Sequence, residues 1–311
     1  MEIFRTIESM PSFKDSIVTI GTFDGCHRGH QDIIKKVINN AELSNTKSIL
    51  ITFDPHPRHV LQSDYKIPML MHINRKLDFI KSFNLDAVLV IPFNKDFSKV
   101  SAYDFLNDII LKHLNAKKII VGYDHHFGHN REGSPEYLKK LSKDKDYDLE
   151  IVEPIKDSEM IISSTHIRES IKKGFVRRAS FELGWVFGFE AKVVAGSGRG
   201  KGLGFPTANF LPIEKNQLIP ANGVYFIRGR INSINLYGMC NLGTRPTFDE
   251  IDFVMEVHFF KKRVNDIYGK TITVEFLERV RDEKKFSNSK ALIKQLEKDK
   301  EICMRLIQKY N

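Results

Sequence analysis

The sequence predicts a doubly wound α/β domain followed by a smaller, mainly β domain that ends in a helix. Apolar strand-like runs alternate with helical patterns from residue 15 to about residue 173. After residue 180 strand-like runs follow one another at short spacing, with Gly, Asn and Asp between them. Alternation requires crossover connections, and hence a parallel sheet covered on both faces. Consecutive short strands make an antiparallel sheet or a small barrel. The 311 residues suit two domains at roughly 150 residues each. We place the boundary after "KKGFVRRAS", giving domains 1–180 and 181–311.

"SIVTIG" reads as the first strand and "RGHQDIIKKVINNAELS" as the helix that follows. "KSILITF" is Ile/Leu-rich with polar flanks, as a buried strand should be. "NRKLDFIKSF" is an amphipathic helix, "DAVLVIPF" a strand, "SAYDFLNDIILKHL" a helix and "KKIIVGYD" a strand. "SPEYLKKLSKD" has Ser134 to cap a helix and Pro135 at its first position. "LEIVEPI" is a short strand, and "SSTHIRESIKK" a helix opened by hydroxyl caps. In the second domain "GWVFGFEAKVVAG", "NGVYFIRGRI", "INLYGMCNLG", "DFVMEVHFF" and "TITVEFLERV" are the strands. The last helix, "SKALIKQLEKDKEICMRLIQ", sets Leu292, Leu296, Cys303 and Leu306 along one stripe.

Hydrophobic residues make up 41% and charged residues 28%, the balance of a folded globular chain and not of a disordered one. No apolar run approaches the ~20 residues that cross a bilayer, and "MEIFRTIESMPSFKD" has no signal-peptide core. Cys26, Cys240 and Cys303 are odd in number and far apart, which fits neither a disulfide framework nor a zinc site, so a cytoplasmic location is expected. The net charge of +9 is spread without a basic run of five. It is read as solvated surface with a bias toward anionic substrates, with no nucleic-acid or membrane partner. The chain is expected to be a monomer or a weak homo-oligomer.

In open parallel sheets ligands bind beyond the carboxyl ends of the strands, where the unusual residues of the first domain fall. "GTFDGCHRGH" follows the first strand, "FDPHP" the second and "GYDHHFGHNREG" the strand "KKIIV", while "SSTHIR" opens the last helix. His27 and His30, three apart near a helix N-terminus, share a face in a field already positive from free N–H groups. Gly21 and Gly25 let the backbone approach a ligand. Such donors suit a triphosphate. No nucleophile adjoins them, so direct transfer between two bound phosphates is expected. A metal pair at His27 and His30, a cluster at His125, His126 and His129, and plain surface histidines are the alternatives.

The run "VVAGSGRGKGLGFPTANF" is not a Walker A loop, since Ala195 stands at the first glycine position and Gly202 where Ser/Thr would bind magnesium, and no window in it fits GxGxxG. Thr207 and Asn209 face one side of an extended segment and are hard oxygen ligands suited to Mg²⁺. The glycines before them can fold N–H groups over phosphates. Glu256 interrupts an apolar strand, either as a solvent-facing residue or as a functional one.

"GTFDGCHRGH" resembles the HxGH signature of nucleotidylyltransferases. With "TFDPHP", "VGYDHHFGHNREG" and "ISSTHIR" it resembles the adenylyltransferase half of bacterial bifunctional riboflavin kinase/FMN adenylyltransferases, or FAD synthetases. "GKGLGFPTAN", "NGVYF", "NLGTRPTF", "MEVHFF" and "YGKTITVEFLERVRDEKKF" resemble the riboflavin kinase half, so the resemblance spans essentially the whole chain. His125 departs from it, standing where many members carry an aromatic residue. The resemblance implies a Rossmann-like first domain and a small-barrel second domain, with ATP, riboflavin and FMN as partners and Mg²⁺ accompanying ATP.

Carried over to this sequence, the adenylyltransferase ATP site comprises Gly21, Phe23, Asp24, Gly25, His27, His30, Gly122, Asp124, Arg131, Ser163, Ser164, Thr165 and Arg168. Asp54, His56 and Pro57 are its flavin side. The kinase ATP site comprises Gly198, Arg199, Gly200, Lys201, Gly204, Pro206, Thr207 and Asn209, with Thr207 and Asn209 on the metal. Asn222 and Arg281 are its flavin side. The catalytic residues are His27 and His30, which stabilise triphosphate charge, and Glu256, the general base. The rival readings are a nucleotidylyltransferase for another phosphorylated acceptor, and a non-catalytic flavin- or nucleic-acid-binding regulator.

Overall fold

The computed structural model describes residues 1–62, 67–195, 199–231, 234–246, 251–260 and 267–310. Backbone contacts divide the chain into two compact units, Met1–Ser164 and Thr165–Asn311.

The first unit holds six strands: β1 (Glu2–Phe4), β2 (Ser16–Ile20), β3 (Lys47–Asp54), β4 (Ala87–Pro92), β5 (Ala116–Gly122) and β6 (Asp148–Val152). They form one sheet in the order β1-β4-β3-β2-β5-β6, with every pairing parallel. Ile, Leu and Val runs make these strands because helices cover the sheet and no face needs polar residues. Val18, Ile49, Ile51, Leu89 and Ile119 are 0% exposed, and each such side chain contributes about 1.5–3 kcal/mol on burial. The helix Arg28–Ser44 turns Ile33, Ile34, Val37 and Ala41 inward and stops at Asn45, whose left-handed φ of 51° ends the helical path. From β2 the chain builds outward through β3 and β4, then returns to place β5 on the other side of β2. The switch point therefore opens beyond the carboxyl ends of β2 and β5.

In the second unit, β9 (Gly188–Val194), β10 (Ala208–Pro212), β11 (Gly223–Ile231), β12 (Ile234–Pro246), β13 (Ile251–Phe259) and β14 (Thr271–Arg281) close into a barrel. The order is β10-β13-β12-β11-β14-β9 and all pairings are antiparallel. Closure removes the sheet edges that an open meander would expose. Phe189, Val193, Phe210, Tyr225, Val257 and Phe276 are buried. The terminal helix Ser289–Ile307 lies outside, its Leu296, Cys303 and Leu306 packing with Phe226, Met239 and Leu277.

Asp299 joins that inward stripe. It is 0% exposed and takes Arg281 Nε at 2.9 and 3.0 Å and Nη2 at 2.8 Å. Removing one partner of such a pair strands a buried charge. Asp299→Ala is expected to destabilise the barrel unit by about 3–5 kcal/mol, read as a lower midpoint in thermal unfolding.

Several elements lie outside the sequence expectation. β1 is a three-residue edge strand, and β7 (Lys156–Asp157) and β8 (Met160–Ile161) are two residues each, too short to carry a period. Pro57–Leu61 is a five-residue helix. The expected helix over 101–114 is an α-turn at Ala102–Asp104 that widens into π hydrogen bonding over Phe105–His113. The stretch read as a boundary contains the helix Val176–Leu183, stopped by Gly184 at φ 74°. Its inward stripe is Val176, Ala179 and Leu183, interrupted in sequence by Arg177 and Arg178.

Candidate active sites

The turn after β2 is strongly bent. Phe23, Gly25 and Cys26 have φ of 47°, 77° and 40°, a left-handed region where a residue bearing Cβ is strained. This bend delivers His27 to the start of the helix, where its Nδ1 accepts the His30 N–H at 3.4 Å. The two imidazoles then stack, with centroids 3.6 Å apart and 20° between planes. Phe23 packs edge-on to His30 at 5.2 Å. Gly29 lies beneath them, where a Cβ would crowd the His27 ring at 3.2 Å. At Gly21 a Cβ would meet the Phe23 ring at 3.1 Å.

Asp24 is 1% exposed, and its carboxylate accepts Leu70 N–H at 3.3 Å and Met71 N–H at 3.1 Å. It thereby ties the 67–71 segment to the turn. Ser164 Oγ donates to the Asp24 carbonyl at 2.9 Å. Ser163 precedes the helix Ser164–Lys172, Thr165 is exposed in its first turn and Arg168 is buried one turn further on.

Asp54 ends β3, and His56 caps the helix Pro57–Leu61 by accepting Arg58 N–H at 3.1 Å, with Pro57 at the first position. Gly122 ends β5, followed by an exposed Asp124. Arg131 has φ 61°, and its Nη2 lies 3.2 Å from His126 Nδ1, which donates to the Asp124 carbonyl at 2.9 Å. His125 stacks on Phe127 at 5.6 Å and 21°, and burial pushes its pKa down to about 4, leaving a neutral ring. β2, β3 and β5 being parallel neighbours, the loops after them share one rim.

On the barrel, Ala208 and Phe210 point inward while Thr207 and Asn209 alternate onto the outer face. Asn209 pairs directly with Glu256 across β10 and β13, and Glu256 pairs with Asn241 across β13 and β12. Such opposed residues hold their Cβ atoms about 5 Å apart. Glu256 is therefore half-buried in a row between two amides, while its neighbours Met255 and Val257 fill the core. The Asn209 Oδ1 is buried without a hydrogen-bond partner in this structure. An orphaned hard oxygen beside the Thr207 position fits a divalent cation such as Mg²⁺. Among the described residues no group of three His, Cys, Asp or Glu side chains could hold a metal.

Arg199–Gly202 is one helical turn. A Cβ on Gly200 would lie 2.3 Å from the Phe205 carbonyl and 3.0 Å from Thr207 Oγ1, so only glycine lets this turn lie against Thr207. Gly204, at φ 79°, bends the chain back toward Pro206. Gly198 and the side chains of Arg199 and Lys201 lie outside the described residues.

Asn222 Nδ2 faces Glu283 at 3.5 Å and its carbonyl takes Arg279 at 2.6 Å. Arg281 is committed to Asp299 and thus anchors the terminal helix.

Three residues outside the sequence expectation adjoin these sites. Asn241 sits opposite Glu256, and its signal is a polar residue splitting the apolar "MCNLG". His258, two residues beyond Glu256 on the same face, donates through Nδ1 to the Pro206 carbonyl at 2.9 Å, and burial lowers its pKa. Lys76 is 3% exposed, a cation on the inward stripe of its helix.

Paired imidazoles at the switch point of a doubly wound sheet, joined in one chain to a barrel bearing Thr207, Asn209 and Glu256, define a two-domain nucleotide-dependent transferase. A family model described as FAD synthetase matches residues 9–166, and one described as riboflavin kinase matches residues 183–307. The bifunctional riboflavin kinase/FMN adenylyltransferase of Buchnera aphidicola subsp. Acyrthosiphon pisum is 33% identical, covering 100% of this chain and 98% of that one. Those of Bacillus subtilis (32% identical, 93% and 92% covered) and Escherichia coli K12 (30% identical, 96% and 96%) are similar over nearly their full length. The chain belongs to the bifunctional riboflavin kinase/FMN adenylyltransferase family. A solved structure from Streptococcus pneumoniae, described as a macrolide-efflux protein, has a TM-score of 0.87 at 30% identity, with 97% of this chain and 98% of that one covered. Among the described residues no helix of the present chain is long and apolar enough to cross a membrane.

Proposed function

We propose that the barrel domain, residues 181–311, phosphorylates riboflavin to FMN with ATP, and that residues 1–180 transfer AMP from a second ATP to FMN, releasing pyrophosphate and yielding FAD. The observation that carries the reading is the separation of two polar sites, the histidine pair and the Asn209–Glu256–Asn241 row, each within the residues matched by its own family model.

In the kinase step Glu256 takes the proton of the ribityl 5′-hydroxyl as that oxygen attacks the γ-phosphorus and ADP leaves. Thr207 and Asn209 would hold Mg²⁺, which when bound with ATP neutralises phosphate charge. Gly198, Arg199, Gly200, Lys201, Gly204 and Pro206 form the segment that covers the phosphates. In the adenylyl step an FMN phosphate oxygen attacks the α-phosphorus, and the bond to the pyrophosphate oxygen breaks. His27 and His30 stabilise charge on the triphosphate, a contribution of positioning and electrostatics. Ser163, Ser164, Thr165 and Arg168 take the leaving pyrophosphate, and Asp54, His56 and Pro57 face the flavin. The three cysteines, free and buried, suit a reducing cytoplasm.

The test is to incubate the full chain with riboflavin, ATP and Mg²⁺ and to separate the flavins by chromatography. FMN should appear first and FAD after it. AMP transfer to a different phosphorylated acceptor, with none to FMN, would overturn the adenylyl assignment. DNA binding without ATP turnover would overturn both.

A further inference from the structure

Lys76 lies in the helix Ile73–Lys81, on the same inward stripe as Leu77 and Ile80. A methionine would fill that stripe without desolvating a charge, so the ammonium must be held by something specific. Its Nζ donates to the Thr22 carbonyl at 2.8 Å and to Thr52 Oγ1 at 3.2 Å. Thr52 Oγ1 itself donates to the same carbonyl at 3.2 Å. One nitrogen thus joins three elements: the helix 73–81, the strand β3 and the turn that carries the histidines. Thr22 immediately precedes the left-handed residues of the turn. Two residues on, Asp24 is gripped by the N–H groups of Leu70 and Met71, just before the same helix.

We propose that Lys76 is a positioning residue for adenylyl transfer: its buried ammonium clamps the Thr22 carbonyl and so holds the bent 21–27 turn in the form that stacks His27 against His30. This rests on the adenylyltransferase reading above. The acidic charges facing the ammonium are Asp24 and Asp54, and the Cys26 thiol beside it is pushed up to about 12 by burial and stays neutral. Burial lowers the Lys76 pKa against the pull of those neighbours. The ammonium is therefore lost as pH rises through a value below the ordinary lysine range, and the clamp weakens with it.

The experiment measures both activities of the full chain across pH. Lys76→Met should lower kcat for FMN adenylylation about 100-fold, the cost of misplacing catalytic groups by roughly an ångström, with KM for ATP little changed and the riboflavin kinase rate as in the wild type. Wild-type adenylylation should fall on an alkaline limb. Lys76→Arg, whose guanidinium does not titrate in this range, should regain part of the rate without that limb. Thr52→Val keeps the shape but removes one acceptor, so it tests the clamp even where Lys76→Met fails to fold. It should lower adenylylation about tenfold and move the limb to lower pH. Adenylylation rates in Thr52→Val equal to the wild type, or an identical alkaline limb in Lys76→Arg, would overturn the proposal. A wild type that makes no FAD at all would instead overturn the function on which it rests.

Discussion

Glu256→Gln is expected to lower riboflavin phosphorylation by about 10²–10⁴-fold, the usual contribution of a general base, while the same purified chain still converts FMN and ATP to FAD. The glutamine keeps the shape of the side chain and its place in the row between Asn209 and Asn241, so the barrel should stay folded. What is lost is the ability to accept the proton of the attacking hydroxyl. The measurement is kcat for each half-reaction with its own flavin substrate, alongside a thermal midpoint. Equal loss of both activities would mean that the two sites are not separate.

His30→Ala should do the reverse. FMN adenylylation is expected to fall roughly 10²–10³-fold, as when one donor is removed from a preorganised charge-stabilising site, with riboflavin phosphorylation unchanged. His30 is the better of the pair to replace. His27 is 7% exposed, and its ring accepts the His30 N–H at the helix start, so His27→Ala would also remove a cap worth about 1 kcal/mol. With His30→Ala the helix start keeps the His27 ring, and the kinetic loss reports on the chemistry alone. Steady-state rates at saturating FMN with varied ATP separate a loss of binding from a loss of turnover.

The parts legible in the sequence were those with a strong period or a rare residue pattern. The buried runs 16–20, 47–54 and 116–122 announced a parallel sheet by being apolar on both faces. The spacing of His27 and His30 put them on one face, and they stack. Thr207 and Asn209 were placed on one side of an extended segment by the period of two, and they alternate with buried Ala208 and Phe210. Long-range partners were not legible. Nothing local shows that Asp24 holds backbone 46 and 47 residues away, or that Asn241 will lie opposite Glu256, because register is fixed by the closed barrel and not by either strand alone. Nor does the closing segment show that Arg281 pairs with Asp299, a buried carboxylate on the following helix. Lys76 gives no local signal, because Leu77 and Ile80 beside it already satisfy an amphipathic helix.

The interior of the β9–β14 barrel is filled with aromatic and aliphatic side chains, and Thr207, Asn209, Asn241 and Glu256 all sit on its outside. The chemistry is mounted on the wall, not held in the lumen. Substitutions that reshape what this domain recognises can therefore accumulate on the outer surface and in the adjoining loops without disturbing the packed centre. Changes inside the barrel should alter how much folded protein exists while leaving the turnover of each folded molecule nearly constant.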